Sequence, residues 1–302
     1  MGNYAPIVLF VYNRPAHTRR TMEALVNADL ANESELIVYA DGAADETKET
    51  LVGEVRALLR EHWTFKRITI IERDRNWGLA ANIIDGVTDV VGRYGRVIVL
   101  EDDLEISKVG LRYFNAALDH FEQEEKVMSI SGYMYPVRQA ELLPETFFFR
   151  VVNSWGWATW GRAWRHFNPD IDQLIAGFSK EDIREFSVGH SENFWKQVGE
   201  FQQGKINSWA IRWYLSVFKN RGLTLYPRQS MIQNIGTDGS GTHSDEDKAY
   251  EVRLAQEFRG HYPDQIREDR QAYTAIRCFF QHRKGSLLSR VIRYSKKKWK
   301  GR

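Results

Sequence analysis

A strand-like apolar run leads straight into three acidic residues in the segment Arg96-Val97-Ile98-Val99-Leu100-Glu101-Asp102-Asp103. Its apolar part is continuous and rich in β-branched residues, as is typical of a strand buried on both faces. Comparable runs lie at Ile7 to Tyr12, Leu36 to Ala40, Arg67 to Glu72 and Val127 to Ile130. Helix-like segments separate these runs, and this alternation predicts an α/β fold with a mostly parallel central sheet flanked by helices.

Polar residues follow the carboxyl ends of the predicted strands. Arg14, Asp41 and Asn76 come after the first three strands, and the run Glu101 to Asp103 comes after the fourth. In open α/β sheets, ligands bind in a crevice beyond the carboxyl ends of the strands. We therefore expect these side chains to line one binding site. The plainer alternatives are a tight turn for Asp41 and an ordinary surface position for Arg14.

The acidic run indicates a cation. Three adjacent carboxylates at the end of a buried strand repel one another unless a cation or solvent compensates. Hard oxygen ligands in an open loop suit Mg²⁺ or Mn²⁺, which complete their coordination with substrate phosphates and water. A solvated acidic turn is the alternative. The position directly after a buried strand favours the metal site.

The pattern becomes less regular after about residue 133. The expected elements there are a strand at Phe147 to Val152, helical structure at Ile171 to Gln203, a helix at Ser208 to Arg221 that Ser208 caps, a strand at Leu223 to Pro227, and a charged helix at Lys248 to Arg259. We expect residues 1–132 and 133–260 to form two halves of one domain, followed by a basic helical tail over 261–302.

The composition excludes several classes of protein. With 302 residues and 43% hydrophobic content, the chain can bury a sizeable core. A single cysteine excludes a disulfide scaffold and a thiolate zinc cluster. No stretch approaches the roughly 18 consecutive apolar residues of a membrane-spanning helix, and the run Ile7 to Tyr12 is too short for a signal peptide. We expect a soluble, cytoplasmic protein.

Charge is distributed unevenly along the chain. From Phe279 to Arg302 there are nine Lys/Arg and no Asp/Glu, so the rest carries 33 basic and 40 acidic residues. Apolar residues among the cations of this tail predict an amphipathic helix in peripheral contact with an anionic membrane, on the inner face of the cytoplasmic membrane. A solvated helix and an unstructured end are the alternatives. The acidic body and the lack of a nucleic-acid-binding motif argue against nucleic acid.

An ordered set of motifs spans roughly residues 5–245. Its segments are Pro6 to Pro15, Tyr39 to Gly42, Asn76 to Leu79 with Asn82, Val97 to Glu105, Ser154 to Trp157, Ser208 to Trp213 and Asn234 to His243. Together they resemble glycosyltransferases of the GT-A fold, in particular the N-acetylglucosaminyltransferase I-like group and related bacterial transferases of polysaccharide biosynthesis. Glu101-Asp102-Asp103 stands in for the Asp-x-Asp motif. Neither GxGxxG nor a P-loop is present.

The resemblance implies a donor site in the first half of the chain, formed by a nucleotide-sugar-binding α/β unit. Arg14 and Asp41 would contact the base and ribose, and Asn76 belongs to the same donor side. Glu101 and Asp102 would lie nearer the sugar and ribose.

The resemblance also implies a metal and diphosphate site. Asp103 would ligate Mn²⁺ or Mg²⁺, and His243 would complete the metal or diphosphate site, unless it is simply a loop histidine. Arg212 would face the diphosphate, although an ion pair on a helix surface is an alternative for it.

Four tryptophans fall within ten residues, at Trp155, Trp157, Trp160 and Trp164. Aromatic rings offer flat apolar surfaces against which sugars pack. Trp155 and Trp157 are therefore candidates for the acceptor site, in which Gly156 would let a ligand approach the backbone. Core packing is the alternative for both, and we expect it for Trp160 and Trp164. On this interpretation, residues 133–260 are the acceptor-side half.

The catalytic base is missing from its expected place. An inverting sugar transfer needs a carboxylate to take the proton of the acceptor hydroxyl, and in the family an Asp stands just before the segment that matches Trp209 to Arg212. Here the position is Asn207. Either the base lies elsewhere, with Asp238, Glu192 and Asp170 as candidates, or the mechanism differs, or the chain carries an inactivating change.

The sequence thus predicts a metal-dependent, inverting glycosyltransferase of bacterial surface polysaccharide biosynthesis. It would transfer a hexosyl or N-acetylhexosaminyl group from a nucleotide-diphosphate donor, most simply a UDP-sugar, to a glycan or lipid-linked glycan. One alternative is a nucleotidyltransferase that forms nucleotide-sugars, although its glycine-rich phosphate loop is absent. The other is a catalytically impaired sugar- or nucleotide-binding module.

Overall fold

The computed structural model describes residues 4–237 and 248–283. The strands are β1 (Ile7–Val11), β2 (Glu35–Ala40), β3 (Arg67–Glu72), β4 (Arg96–Glu101), β5 (Leu104–Ile106), β6 (Val127–Ser131), β7 (Thr146–Phe149), β8 (Trp157–Trp160), β9 (Leu223–Pro227) and β10 (Ile232–Asn234). The helices are α1 (Pro15–Val26), α2 (Glu46–Leu59), α3 (Leu79–Tyr94), α4 (Gly110–His120), α5 (Gly161–Trp164), α6 (Ile171–Ile175), α7 (Lys180–Phe186), α8 (Phe194–Gln202), α9 (Trp209–Lys219) and α10 (Arg270–His282).

An eight-stranded sheet forms the centre of the molecule, in the order β3-β2-β1-β4-β8-β6-β9-β7. The strands β1 to β4 are parallel to one another, whereas β8 runs antiparallel between β4 and β6. A separate antiparallel pair joins β5 to β10. The prediction of an α/β fold with a mostly parallel central sheet flanked by helices is confirmed.

Both faces of the sheet are buried, because successive residues of a strand point to opposite sides. In β1, Ile7 and Leu9 belong to one apolar cluster, and Val8 and Phe10 belong to the other. Helix α3 covers the second face, whereas α1 and α4 cover the first. A strand buried on both faces explains why the apolar runs in the sequence are continuous rather than alternating.

The predicted helix over Lys248 to Arg259 is wrong. The structure has a single 3₁₀ turn at Lys248–Tyr250 and no helix in the rest of this segment, up to Arg259. The backbone N–H of Ala255 donates instead to the carbonyl of Ser230 at 2.8 Å. The backbone of this segment therefore bonds to a neighbouring loop instead of to itself.

Two other parts of the second half are more finely divided than expected. The helical stretch from Ile171 to Gln203 is three short helices, α6, α7 and α8. The tryptophan-rich segment contains the strand β8, which the sequence did not predict as a strand. The predicted capping of α9 is confirmed, because Ser208 Oγ accepts a hydrogen bond from the N–H of Ile211 at 3.2 Å.

In the part of the chain that the structure describes, no helix has both the length and the apolar character needed to cross a membrane. Of the predicted basic segment, Phe279 to Arg302, the structure describes only residues 279–283, which are the end of α10 and Arg283. The predicted amphipathic surface at residues 284–302 lies outside the described residues.

Candidate functional site

The carboxyl ends of β1 and β4 meet at one edge of the sheet. The two strands are parallel neighbours, with Phe10 paired to Glu101. On the other side of β1, the N–H of Asp41 donates to the carbonyl of Val11 at 3.0 Å. The register therefore brings the residues that follow β1, β2 and β4 to the same edge, as the sequence predicted.

Arg14 bridges two of the three acidic residues. Its Nη2 lies 2.8 Å from Oδ1 of Asp102 and 2.6 Å from Oδ2 of Asp103. The Asp102 side chain is almost fully buried and also accepts a hydrogen bond from the N–H of Tyr12 at 3.3 Å. The hydroxyl of Thr21 donates to the backbone carbonyl of Asp102 at 2.9 Å. The acidic run is therefore held by the connection between β1 and α1 and by α1 itself, and it is not a solvated turn.

The electrostatics of this cluster are those of crowded, poorly solvated carboxylates. Burial, reinforced by the negative charges of Asp103 and Asp102, raises the pKa of Glu101 well above its ordinary value. Burial also raises the pKa of Asp102, against the lowering effect of Arg14. Burial tends to lower the pKa of Arg14, but its two carboxylate partners outweigh burial and raise it. Positive charge is therefore strongly favoured at this position.

The oxygens of Asp102 and Asp103 converge on a single point, and the guanidinium nitrogen of Arg14 marks it. Two carboxylate oxygens that both contact one cationic atom are a fitting start for a Mg²⁺ or Mn²⁺ site, which typically uses one or two carboxylates. Among residues 4–237 and 248–283, no group of three or more His, Cys, Asp or Glu side chains forms a metal cage. The remaining ligands of a metal here would come from substrate and water.

A backbone segment after β10 lies directly on the acidic run. The N–H of Ile235 donates to the carbonyl of Asp103 at 2.8 Å. A Cβ atom on Gly236 would lie 2.2 Å from Oδ2 of Asp103 and 3.0 Å from Nη1 of Arg14. Only glycine fits at this position without movement of the site. The predicted site residues Asp238 and His243 follow this segment but lie outside the described residues.

Asp41 and Asn76 contact each other at the neighbouring strand ends. Oδ1 of Asp41 accepts hydrogen bonds from the N–H groups of Gly42 and Trp77, at 2.9 and 2.8 Å. Oδ2 accepts from the N–H of Gly78 at 2.9 Å and from Nδ2 of Asn76 at 3.1 Å. The buried Asp41 carboxylate therefore organises the loop between β3 and α3.

Arg212 and Asn207 are paired at the start of α9. Nη2 of Arg212 donates to Oδ1 of Asn207 at 3.0 Å, and Nε donates to the carbonyl of Ser208 at 3.1 Å. The guanidinium also lies 4.9 Å from the centroid of the Phe201 ring. Burial lowers the pKa of Arg212, whose side chain has no carboxylate partner among the described residues. Arg212 is buried, so it does not lie on the helix surface, where the sequence had left an ion pair as an alternative.

The Trp-Gly-Trp segment divides between the edge of the sheet and its interior. Trp155 is partly exposed, and its ring packs edge-on against Tyr133 and Tyr250 at centroid distances of 4.7 and 5.5 Å. Trp157 is fully buried and stacks on Trp209 at 5.2 Å. No face of the Trp157 ring is open to a sugar, so Trp155 is the better placed of the two for ligand contact.

Gly156 is close to protein atoms. Its φ is +64°, and a Cβ there would lie 2.5 Å from Cγ1 of Ile232 and 3.2 Å from Cδ2 of Leu100. The group that lies close to the Gly156 backbone is therefore the side chain of Ile232 in β10. Trp160 and Trp164 are buried, in agreement with the expected core packing.

Two acidic residues considered as bases have structural partners. Oδ1 of Asp170 accepts hydrogen bonds from the N–H groups of Asp172 and Gln173, at 3.0 and 3.1 Å, and caps α6. Glu192 forms an ion pair with Arg283 in which both side chains are largely buried. Both carboxylates therefore have structural roles, Asp170 as a helix cap and Glu192 as an ion-pair partner.

Sequence reasoning assigned no role to Gly236 or to the exposed ring of Trp77. Both lie in motifs that carried the resemblance, so their positions were visible. The tight contact at Gly236 follows from the pairing of β10 with β5, which depends on residues far apart in the chain. The signal available in the sequence was the position of Gly236, just before the loop that contains the predicted site residues Asp238 and His243.

Comparison with known proteins identifies a family. A sequence model of the family described as Glycosyl transferase family 2 matches residues 7–183, which is more than half of the chain. Among curated protein sequences there is no match. The α/β architecture agrees with the GT-A fold that the resemblance implies.

Several solved structures are similar to parts of this chain. S. aureus TarS is 18% identical over 39% of this chain and 20% of that chain, with a TM-score of 0.29. TarS 1–349 in complex with UDP-GlcNAc is 15% identical over 44% of this chain and 36% of that chain, with a TM-score of 0.32. The mannosyltransferase PcManGT from Pyrobaculum calidifontis, in complex with GDP-Man and Mn²⁺, is 11% identical over 72% and 74%, with a TM-score of 0.36.

The match therefore covers only a minor part of either TarS chain, and the family assignment rests on the family model. That model begins at β1, spans the acidic run and the edge of the sheet described above, and ends within α7. This protein belongs to glycosyl transferase family 2.

Proposed function

We propose that this chain is a metal-dependent transferase that moves a sugar from a nucleotide-diphosphate donor to a hydroxyl group of a glycan. The observation that carries the proposal is the convergence of Asp102 and Asp103 on one cationic atom at the carboxyl edge of β4. This is the edge at which α/β sheets bind ligands. Family membership supplies the class of reaction, and the site supplies the residues that would perform it.

Asp103 and Asp102 would hold Mn²⁺ or Mg²⁺ through their carboxylate oxygens. When bound, such an ion stabilises the negative charge of the departing nucleoside diphosphate. Arg14 and Arg212 supply positive charge for the phosphates. The absence of a carboxylate partner for Arg212 among the described residues supports this role, because a buried cation without a counterion favours an anionic ligand.

The transfer itself requires a base. The acceptor oxygen would form the new bond to C1 as the bond from C1 to the diphosphate oxygen breaks, and the diphosphate would leave with the electron pair. The hydroxyl proton must pass to a carboxylate for efficient inversion. Asn207 stands at the expected position and its Oδ1 faces Arg212, but an amide does not accept a proton near neutral pH.

UDP is the nucleotide that we favour, because the chain resembles N-acetylglucosaminyltransferase I-like enzymes. The relatives bind different donors, since the complexes contain UDP-GlcNAc in TarS and GDP-Man with Mn²⁺ in PcManGT. An acceptor in bacterial surface polysaccharide biosynthesis, lipid-linked at the membrane, suits the basic C-terminal segment. Trp155 and its partly exposed ring are the proposed acceptor contact.

Thermal unfolding with candidate nucleotides tests the donor site. We expect UDP with Mn²⁺ to raise the melting temperature more than UDP or Mn²⁺ alone, and more than GDP or dTDP with Mn²⁺. A ligand at 100 times its Kd stabilises a protein by about 2.7 kcal/mol. If none of the three nucleotides stabilises the protein with Mn²⁺, the proposed function is wrong.

A second candidate function, a non-catalytic module that binds nucleotide-sugars, is favoured by Asn207. Hydrolysis of UDP-sugar by the natural chain and by Asn207→Asp separates the two. A restored base is expected to increase the rate on the order of 100-fold, and Asn207→Ala serves as the control without a carboxylate. A gain confined to Asn207→Asp supports the module, and equal rates for all three chains would place the base elsewhere.

A further inference from the structure

An exposed tryptophan stands at the same edge of the sheet as the acidic run. Trp77 lies in the loop between β3 and α3, and Leu79 is the first residue of α3; 38% and 51% of their surfaces are exposed. Large apolar side chains with this much exposure are few among the described residues. Trp77 is also held in place by its neighbours, so its exposed ring forms part of a fixed surface.

Two sets of contacts hold Trp77. Its backbone N–H and that of Gly78 donate to the two oxygens of Asp41, at 2.8 and 2.9 Å. On one side of the ring, the guanidinium carbon of Arg73 lies 3.8 Å from the ring centroid. Arg73 is in turn fixed by a hydrogen bond from its Nε to Oδ1 of Asn82 at 2.8 Å. The ring therefore has a cation beside it and an anchored backbone.

Asp41 has no acceptor site left for a ligand. A carboxylate offers about four lone-pair positions, and Asp41 receives two hydrogen bonds at each oxygen, all from the protein. The loop also lies tightly against its neighbour, because a Cβ on Gly42 would come within 2.4 Å of the carbonyl carbon of Arg75. In this arrangement Asp41 positions the loop, and all four of its acceptor positions are used by the protein.

The distance along the edge suits an extended anion with a flat apolar end. Trp77 follows β3 and the acidic run follows β4, three strand positions away, which corresponds to about 14 Å. Tyr12 lies between them, where its hydroxyl accepts a hydrogen bond from the N–H of Ala44 at 3.1 Å. Cations and carboxylates stand at one end of this edge, and a fixed aromatic face stands at the other.

We propose that the ring of Trp77 is the platform on which the base of the nucleotide donor stacks, and that Asp41 is a positioning residue that holds the ring there. This inference rests on the proposed function and adds the residue against which the base stacks. Aromatic stacking tolerates any base because every base has a flat π face. Trp77 therefore contributes affinity, and it leaves the choice between bases to other residues.

Fluorine NMR of protein labelled with 5-fluorotryptophan tests the contact directly. The Trp77 signal is the one that disappears in Trp77→Phe. We expect UDP with Mn²⁺ to shift this signal and pyrophosphate with Mn²⁺ to leave it in place, since only UDP carries a base. If UDP binds by calorimetry and the Trp77 signal does not move, or pyrophosphate moves it equally, this inference is wrong and the proposed function stands. If none of UDP, GDP and dTDP binds with Mn²⁺, both fail; if GDP or dTDP binds instead of UDP, the same comparison with pyrophosphate is made with that nucleotide.

Binding measurements on variants test the two roles separately. We expect Trp77→Ala to weaken UDP binding about 10-fold or more. The control is Leu79→Ala, which truncates an exposed apolar neighbour and should leave UDP binding unchanged. Asp41→Asn is expected to weaken UDP binding in the natural background but to have no further effect in Trp77→Ala, because it acts through the ring. An equal loss from Asp41→Asn in both backgrounds would mean that Asp41 binds the nucleotide itself and would overturn the positioning role.

Discussion

The acidic run and the Trp-Gly-Trp segment lie side by side, yet their chemistry differs completely. Strand β4 ends at Glu101 and pairs antiparallel with β8, so that Val99 lies opposite Trp157. Asp102 and Asp103 therefore continue past the sheet, whereas Trp157 has already entered it. Trp155, two residues earlier in the chain, is still at the edge. Trp155 and Trp157 are therefore only two residues apart, yet the first ring is partly exposed and the second lies in the core.

This comparison shows that the position of a residue relative to the sheet edge decides between binding and packing. Arg14 forms ion pairs with the two carboxylates that lie beyond the end of the strand. Aromatic rings inside the sheet are enclosed by other rings, as Trp157 is by Trp164, Trp209 and Trp213. The four substitutions below test the two regions in turn.

The largest effect is expected from Trp157→Ala. The ring is fully buried in a cluster of tryptophans, and its loss leaves a cavity. Truncation of a buried aromatic side chain costs about 3–5 kcal/mol of unfolding free energy. Urea denaturation measures this cost. Trp155→Ala is the matched control, and it should cost clearly less because part of its ring is already in water. Equal costs would contradict the division between edge and core.

A smaller loss is expected from Gly236→Ala. The added Cβ would lie 2.2 Å from Oδ2 of Asp103, so the backbone after β10 or the carboxylate must move. Overpacking of this kind costs about 1–3 kcal/mol, and Mn²⁺-dependent binding of UDP should weaken with it. Gly199→Ala in α8 is the control, because a Cβ there meets no atom within 4 Å and alanine favours helix. Similar behaviour of the two variants in urea denaturation would contradict the close contact at Gly236.

Arg14→Gln tests whether the guanidinium occupies the position of a metal. Arg14 competes with any cation for Asp102 and Asp103. Without it, Mn²⁺ alone should bind more tightly, on the order of 10-fold, or about 1.4 kcal/mol. UDP binding should weaken, because a phosphate contact is lost. Arg20→Gln, which removes an exposed partner of Glu105, is the control. Weaker Mn²⁺ binding in Arg14→Gln would refute the competition.

The smallest effect is expected from Ser208→Ala. The hydroxyl caps α9, the helix that carries Arg212 and two of the clustered tryptophans. Loss of such a cap costs about 1 kcal/mol, which urea denaturation resolves. Ser208→Asn retains a capping side chain and should recover most of the loss. No recovery would show that Ser208 acts through contacts other than the cap.

The first half of the fold could be predicted well because its determinants are local. Strands β1, β2 and β4 are largely continuous apolar runs, whereas the run of β3 is interrupted by Thr69. Helices separate all four strands, and a parallel sheet follows from that order. The same rule placed Arg14, Asp41 and the acidic run at one edge. What it could not give was the partner of each side chain. Asp41 bonds to the backbone of Trp77 and Gly78, 36 and 37 residues away.

The second half was predicted less well because its order depends on distant contacts. Strand β8 exists only through its pairing with β4 and β6, and four residues that begin and end in tryptophan carry little strand signal. The segment after Lys248 has the charge pattern of a helix but hydrogen-bonds to residues of the β9–β10 region. Tertiary contacts override local propensity at both places.

Calorimetric titration of UDP into the protein, with and without Mn²⁺, tests the central claim most directly. We expect binding that depends on Mn²⁺, that is lost in Asp103→Asn, and that is retained in Glu105→Gln. Glu105 is a suitable control because it lies two residues further along and pairs with Arg20 instead of Arg14. Binding of UDP that is equal with and without Mn²⁺, or equal in both variants, would contradict a metal site at the end of β4.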